Sequence, residues 1–208
     1  FDHAQILEDY VRFRETGQRP RPAPPRASGL DPADSKALLR IARHAIEDAL
    51  AGRSMRHDPA ESRPALIRKS GCFVTLRTMD GELRGCIGDL SGERPLVDSI
   101  RTSAISAALR DPRFLPVTQS ELPALRIALS VLTPIRAARA DEVEVGRHGL
   151  LIERGPMRGV LLPEVAVEQG WNREQFLAGT CRKAGLPLDA WRAPGTSIGV
   201  FETLKIAE

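Results

Sequence analysis

The stretch 72–89, "CFVTLRTMDGELRGCIGD", is two runs of alternating apolar and polar residues on either side of Asp80-Gly81. Alternation with period two marks a strand with one buried face, and Asp-Gly between two such runs marks a hairpin. A two-residue turn there pairs Met79 with Glu82, Thr78 with Leu83, Arg77 with Arg84, Leu76 with Gly85, Thr75 with Cys86 and Val74 with Ile87. One face then carries Cys72, Val74, Leu76, Leu83 and Ile87 and belongs to the core. The other carries Phe73, Thr75, Arg77, Arg84 and Cys86.

This register separates two cysteines. Cys72 falls among aliphatic residues, Cys86 falls beside a hydroxyl and two arginines, and the two cannot bond to each other. It also sets Arg77 opposite Arg84, a like-charge pair that is unfavourable unless a carboxylate or a bound anion lies between them. A guanidinium beside a reachable thiol favours the nucleophilic thiolate. Gly85 and Gly88 leave the backbone around Cys86 bare, and glycine inside a strand marks a bulge or the close approach of a ligand or of another backbone. Free cysteine is also among the most buried residue types, so packing and reaction both remain open for Cys86. A cysteine nucleophile usually has a base beside it, and His148, in "GRHGLLIERG", has the most loop-like and glycine-flanked setting of the four histidines. The candidate site is therefore Cys86 as nucleophile, His148 moving protons and Thr75 hydrogen-bonding nearby, with Arg84, Arg77, Gly85 and Gly88 around an anionic group.

Working outward, "LDPADSKALLRIARHAIEDALAG" is a helix with Asp31 as cap, Pro32 in the first turn, an apolar stripe from Leu38 to Ala49 and Gly52 at its end. Further helices are predicted from about Pro95 to Leu109, from Pro163 to Gly170 and from about Arg173 to Ala184, the last stopped by Gly185. "LRIALSVL", "GLLIERG", "RGVLLP" and "SIGVFETLKIA" read as strands. In "ALRDPRFLPV" Pro112 stops a helix, Asp111 caps or pairs with Arg113, and Phe114 fills the core. Hairpins interspersed with helices predict an α+β fold with an antiparallel sheet, not a doubly wound parallel one.

The 30 Lys and Arg against 27 Asp and Glu leave a net charge of +3 without long basic runs, which gives little support to nucleic-acid binding. Three widely spaced cysteines without a CxxC argue against a disulfide framework or a zinc site and suit a reducing compartment. No apolar run approaches the roughly 18 residues that would span a membrane, and a cytoplasmic location is expected. No P-loop, GxGxxG, GxSxG or HExxH is present, and no cofactor or metal is indicated.

"LRGCIG" at 83–88, with "GCFVTL" before it and "ALRDPRF", "SELPALRIALSVLTP", "GRHGLLIERG", "GVLLPEVAVEQGW" and "FLAGTCRKAGL" after it, resembles the AMMECR-domain family over about residues 36–206. Asp89-Leu90 departs from the threonine and aromatic that usually follow the hexapeptide. The resemblance implies an α+β domain of two tightly associated subdomains over residues 30–208, with the hexapeptide in a cleft suggested as an active or binding site, which carries over to Cys86 and Arg84. It implies little about reaction, since members are often described as of unknown function. Prokaryotic relatives commonly occur with Memo-type and radical SAM proteins, the AmmeMemoRadiSam system, so these are the expected partners. Ile6, Leu7, Tyr10 and Val11 predict a short helix, and "RPRPAPPRASG" a linker. Residues 1–29 thus suit the end of an upstream domain. Two classes of function follow: a cysteine-dependent enzyme acting on an anionic small molecule or protein, or a binding module for an anionic ligand, RNA or partner protein.

Overall fold

The structure is a computed structural model that describes residues 29–208. The helix and linker expected before Gly29 lie outside the described residues. Helix α1 (Pro32–Leu50) starts where the sequence says it should: Asp31 accepts from the Asp34 N–H at 2.7 Å while Asp34 accepts from the Asp31 N–H at 3.0 Å. A reciprocal cap of this kind is worth about 1 kcal/mol. The helix ends in a Schellman motif, with Arg53 N–H donating to Asp48 C=O at 2.9 Å and Gly52 N–H to Ala49 C=O at 3.3 Å. A one-turn helix α2 (Pro64–Ile67) leads into strands β1 (Cys72–Thr78) and β2 (Leu83–Asp89), then helix α3 (Leu96–Leu109).

Strand β3 (Leu125–Leu132) pairs with β1, and β8 (Thr203–Ala207) completes a four-stranded antiparallel sheet in the order β2-β1-β3-β8. Cys72, Val74, Leu76, Ile127, Leu129 and Val131 line its core face, packed against Leu38, Ile41 and Ile46 of α1 and Leu96, Ile100 and Ala104 of α3. Burial of an aliphatic side chain of this size stabilises by about 1.5–3 kcal/mol each, so this core dominates the stability of the first half. The second half is another antiparallel sheet, β4 (Arg136–Ala137), β7 (Ser197–Phe201), β5 (Gly149–Arg154) and β6 (Met157–Leu161), in that spatial order. Its core joins Leu150, Ile152 and Val200 to Ala166 of α4 (Pro163–Glu168) and to Phe176, Leu177 and Cys181 of α5 (Arg173–Lys183). The fold is α+β, as the sequence predicts.

One expected strand is in fact two. "SIGVFETLKIA" breaks at Glu202, leaving β7 in the second sheet and β8 (Thr203–Ala207) in the first. The β3–β4 connection makes the same crossing beside it. Thr133 N–H donates to Glu202 C=O at 2.9 Å, and Glu202 N–H donates to Thr133 Oγ1 at 2.8 Å. Two chain segments thus pass together between the sheets and tie the halves, so the backbone groups that leave one ladder are satisfied before they enter the next.

The loop after α1 is anchored by a carboxylate. Asp48 is fully buried and accepts from Arg56 N–H at 2.9 Å, Arg56 Nε at 3.0 Å and Arg53 Nη2 at 3.1 Å. These bonds, the Arg56 side chain foremost, hold its pKa at about 2. Because the folded pKa lies below the ordinary value, its stabilisation is complete above about pH 4 and disappears as pH falls toward 2. The urea midpoint should be flat from pH 7 to about 4.5 and fall below that, and Asp48→Asn should flatten the acid limb.

Candidate functional site

The hairpin turn is one residue longer than the two-residue reading. Thr78 N–H donates to Glu82 C=O at 2.9 Å and Gly81 N–H to Thr78 C=O at 3.0 Å, with Gly81 at φ 87. Met79-Asp80-Gly81 is therefore a three-residue loop whose last residue needs the left-handed region that glycine tolerates. Arg77 consequently opposes Leu83, and a bulge then puts Leu76 opposite Gly85. Arg84 is the extra residue. The bulge restores the expected register beyond it, so Thr75 opposes Cys86 and Val74 opposes Ile87 as the sequence reading placed them. The Arg77–Arg84 like-charge pair does not form, because the bulge takes Arg84 out of the ladder.

Arg84 has found a carboxylate. Its Nε and Nη2 donate to Glu121 at 2.5 and 3.1 Å, and its guanidinium carbon lies 5.9 Å from the Phe114 ring centroid. Arg84 Nη1 is buried without a hydrogen-bond partner among the described residues. The Arg84 side chain, its bonds foremost, lowers the Glu121 pKa. Phe114 is half-buried between two guanidiniums, with Arg113 at 5.5 Å, and does not fill the core as expected.

Cys86 lies on the sheet's outer face, opposite the helices, and its Sγ is 3.3 Å from Thr75 Oγ1. Its backbone points out of the sheet edge, since β2 is an edge strand. Cys86 N–H donates to Asp111 Oδ2 at 2.8 Å, and Arg113 Nη2 donates to Cys86 C=O at 3.1 Å. Thr75 and Cys86 are therefore a non-hydrogen-bonded pair, the closer kind, which brings hydroxyl and sulfur together. Asp111 and Arg113 stand in for a missing strand at this one position of the edge. Asp111, 4 % exposed, also accepts from Arg113 N–H at 3.1 Å, Nε at 2.9 Å and Nη2 at 2.7 Å. The Arg113 side chain, ahead of the Cys86 and Arg113 amides, holds its carboxyl far below the usual carboxylate range.

The two glycines of the site are covered by protein. A Cβ on Gly85 would come within 2.1 Å of the Ala107 carbonyl oxygen, so α3 crosses the strand there in contact with bare backbone. A Cβ on Gly88 would meet the Phe73 ring at 2.3 Å. Helix packing and an aromatic lid account for both without a ligand. Arg77 is exposed and donates from Nη1 to Gly81 C=O at 2.8 Å.

His148 is elsewhere. It precedes β5 in the second sheet, is 2 % exposed, and its Nδ1 accepts from the Glu144 N–H at 3.1 Å. Burial, ahead of the neighbouring charges of Glu144, Arg147, Arg136 and Glu202, lowers its pKa. It is a neutral histidine with a backbone partner, and the structure does not bring it to Cys86. The other two cysteines are sealed in the two cores: burial pushes the Cys72 thiol up to about 12 and raises that of Cys181. Cys86 is the one of the three that is not buried.

Asp111, Arg113, Phe114 and Glu121 were not assigned to this site by sequence reasoning. The Asp-Pro-Arg-Phe turn was legible as a local stop; its long-range partner, 25 residues away in β2, left no periodic signal.

Comparison with known proteins places these residues in a family. The AMMECR1 family profile matches residues 39–206. The chain is 41 % identical to "Protein NEQ441" of Nanoarchaeum equitans over 79 % of its own length and 95 % of that protein. It is 45 % identical to "Protein MJ0810" of Methanocaldococcus jannaschii, over 79 % of this chain and 85 % of that one. Among solved structures, the uncharacterized protein PH0010 from Pyrococcus horikoshii superposes with a TM-score of 0.75 at 41 % identity, covering 81 % of this chain and 88 % of that one. Among the described residues no helix is long and apolar enough to cross a membrane.

Proposed function

The chain belongs to the AMMECR1 family, and we propose that within it the outer face of the first sheet is a working surface on which Cys86 acts as a nucleophile toward an anionic small molecule or protein group. The observation that carries this reading is the contrast between one cysteine on a polar face beside a hydroxyl, at 3.3 Å, and two sealed in apolar cores. Among the described residues no side-chain base bonds to Sγ, so the thiol proton passes to water. The sulfur then forms a bond to an electrophilic carbon of the substrate, and the leaving group departs with its bonding electron pair and takes up a proton from water. Once the sulfur is a thiolate, Thr75 Oγ1 donates a hydrogen bond to it. Asp111 and Arg113 fix the Cys86 backbone, and hence the direction of attack.

A carboxylate- or phosphate-bearing thioester is a suitable probe, since thiol exchange releases a free thiol and leaves an acyl group on sulfur. Intact-mass spectrometry should find one acyl adduct, mapped to Cys86, and none on Cys86→Ser or Cys86→Ala, with circular dichroism unchanged. Noncovalent binding that survives Cys86→Ser, with no adduct on the native protein, would favour a binding module instead. Memo-type and radical SAM proteins are the partners proposed. Leu115, 83 % exposed and next to Phe114 in the chain, gives such a contact an apolar point on the rim. Co-purification lost in Leu115→Asp would support it, and retention would move the contact elsewhere.

A further inference from the structure

Strand pairing extends the row that holds Cys86 across the whole sheet. Cys86 opposes Thr75, Thr75 opposes Ala128, and Ala128 opposes Ala207. Residues directly opposite in neighbouring strands share a face, so four small side chains make a floor on the outer face with the thiol at one end. Two residues along the strands, a step of about 7 Å, the next row on that face holds Arg77 opposite Arg126. Both side chains are exposed.

Arg77 therefore faces an arginine, but Arg126 of β3 and not the expected Arg84. Directly opposed arginines repel, and natural sheets usually place an acid in such a row. Among the described residues neither Arg77 nor Arg126 forms an ion pair; Arg77 donates to the Gly81 carbonyl, and the charge of Arg126 acts on Glu208 without bonding to it. The carboxylate nearest in register, Glu208, is committed to Arg43 Nε and Nη2 at 2.8 and 2.5 Å and to the Ile127 N–H at 2.9 Å. Arg84 and Arg113, by contrast, each hold their own carboxylate.

We infer that Arg77 and Arg126 together bind an oxyanion, a carboxylate or a phosphate, on a ligand whose remainder lies along the Thr75–Ala128 floor toward Cys86. Opposed across the β1–β3 ladder, two arginines can turn their planar guanidiniums to one oxyanion and offer the forked donors that either group accepts. The inference rests on the reading of this face as the working surface. It assigns Arg126, which the sequence left unmarked, and moves anion recognition from Arg84 to the Arg77–Arg126 row.

The test uses the full chain, with inorganic phosphate and malonate titrated separately at constant ionic strength and read by the Nε–Hε resonances of the arginines. Saturable shifts at both Arg77 and Arg126 are expected, and the tighter of the two anions identifies the source. Arg126→Gln, and independently Arg77→Gln, should weaken binding at least tenfold, while Arg126→Lys retains part of it. In low salt each Gln variant should melt no lower than the native protein, because a repulsion has been removed, and phosphate or malonate should no longer raise its melting temperature. Shifts absent at both arginines, or unchanged affinity in both Gln variants, would overturn the assignment. Cys86→Ser should leave anion binding intact. A missing acyl adduct at Cys86 with anion binding retained would thus count against the nucleophile alone, and an adduct formed without anion binding would count against the arginine row alone.

Discussion

Gly85→Ala should lower the melting temperature by roughly 6–12 °C, the largest effect expected of any one-methyl change in the first half. The added carbon would sit 2.1 Å from the Ala107 carbonyl oxygen, and that atom belongs to helix backbone, not to a side chain that can turn away. Relief requires α3 to lift off β2, which strips contacts from Leu96, Ile100 and Ala104 in the core. Overpacking of this kind costs about 3 kcal/mol, at the upper end of its usual range because nothing nearby is flexible. Ala107→Gly should not rescue the variant, since the colliding oxygen remains. Differential scanning calorimetry of the single and double variants checks both statements. A fall below about 1 °C would mean that α3 does not rest on Gly85.

The second large effect is expected from Asp111→Ala. The carboxylate takes the outward N–H of Cys86 and three bonds from Arg113. Its loss leaves the Cys86 amide unpaired, at about 1–3 kcal/mol. The ion pair adds only about 1 kcal/mol because Arg113 is 52 % exposed and its charge can be hydrated. Destabilisation of about 2–4 kcal/mol follows, with the edge of β2 loosened first. Amide exchange should accelerate most at Cys86, and Asp111→Asn, which keeps an acceptor, should recover part of the protection. Uniform acceleration over the whole sheet would instead make Asp111 a general packing residue.

The hairpin shows why some of this was legible and some was not. Its core face followed from alternation alone, because Val74 and Leu76 must be buried and Thr75 must then point the other way. The turn is one residue longer than the Asp-Gly signal predicts, and the bulge at Arg84 offsets that residue, so Thr75 still faces Cys86. Gly85 signals a bulge or a close approach, but nothing in Leu83-Arg84-Gly85 says which residue leaves the ladder. The cap of α1 was legible because a cap is local: Asp31 and Asp34 satisfy each other within four residues, whereas the equally local cap of α5, Asn172 with Gln175, was missed.

Long-range partners were not legible. Glu121 meets Arg84 across 37 residues, and Arg126 reaches the row of Arg77 only through the β1–β3 register. His148 had a glycine-flanked, loop-like sequence, yet a backbone hydrogen bond and the second core account for it. The break at Glu202 likewise depends on Thr133, 69 residues earlier, which no window of strand pattern contains.

The central claim is that Cys86 alone among the cysteines is within reach of a reagent in the folded protein, and alkylation by iodoacetamide tests it most directly. The time course, followed by peptide mass spectrometry on the native chain, carries Cys72 and Cys181 as internal controls. Cys86 should label in the folded state while the other two label only after denaturant is added. Labelling of all three together, and only on unfolding, would contradict the account and make "LRGCIG" a packing motif.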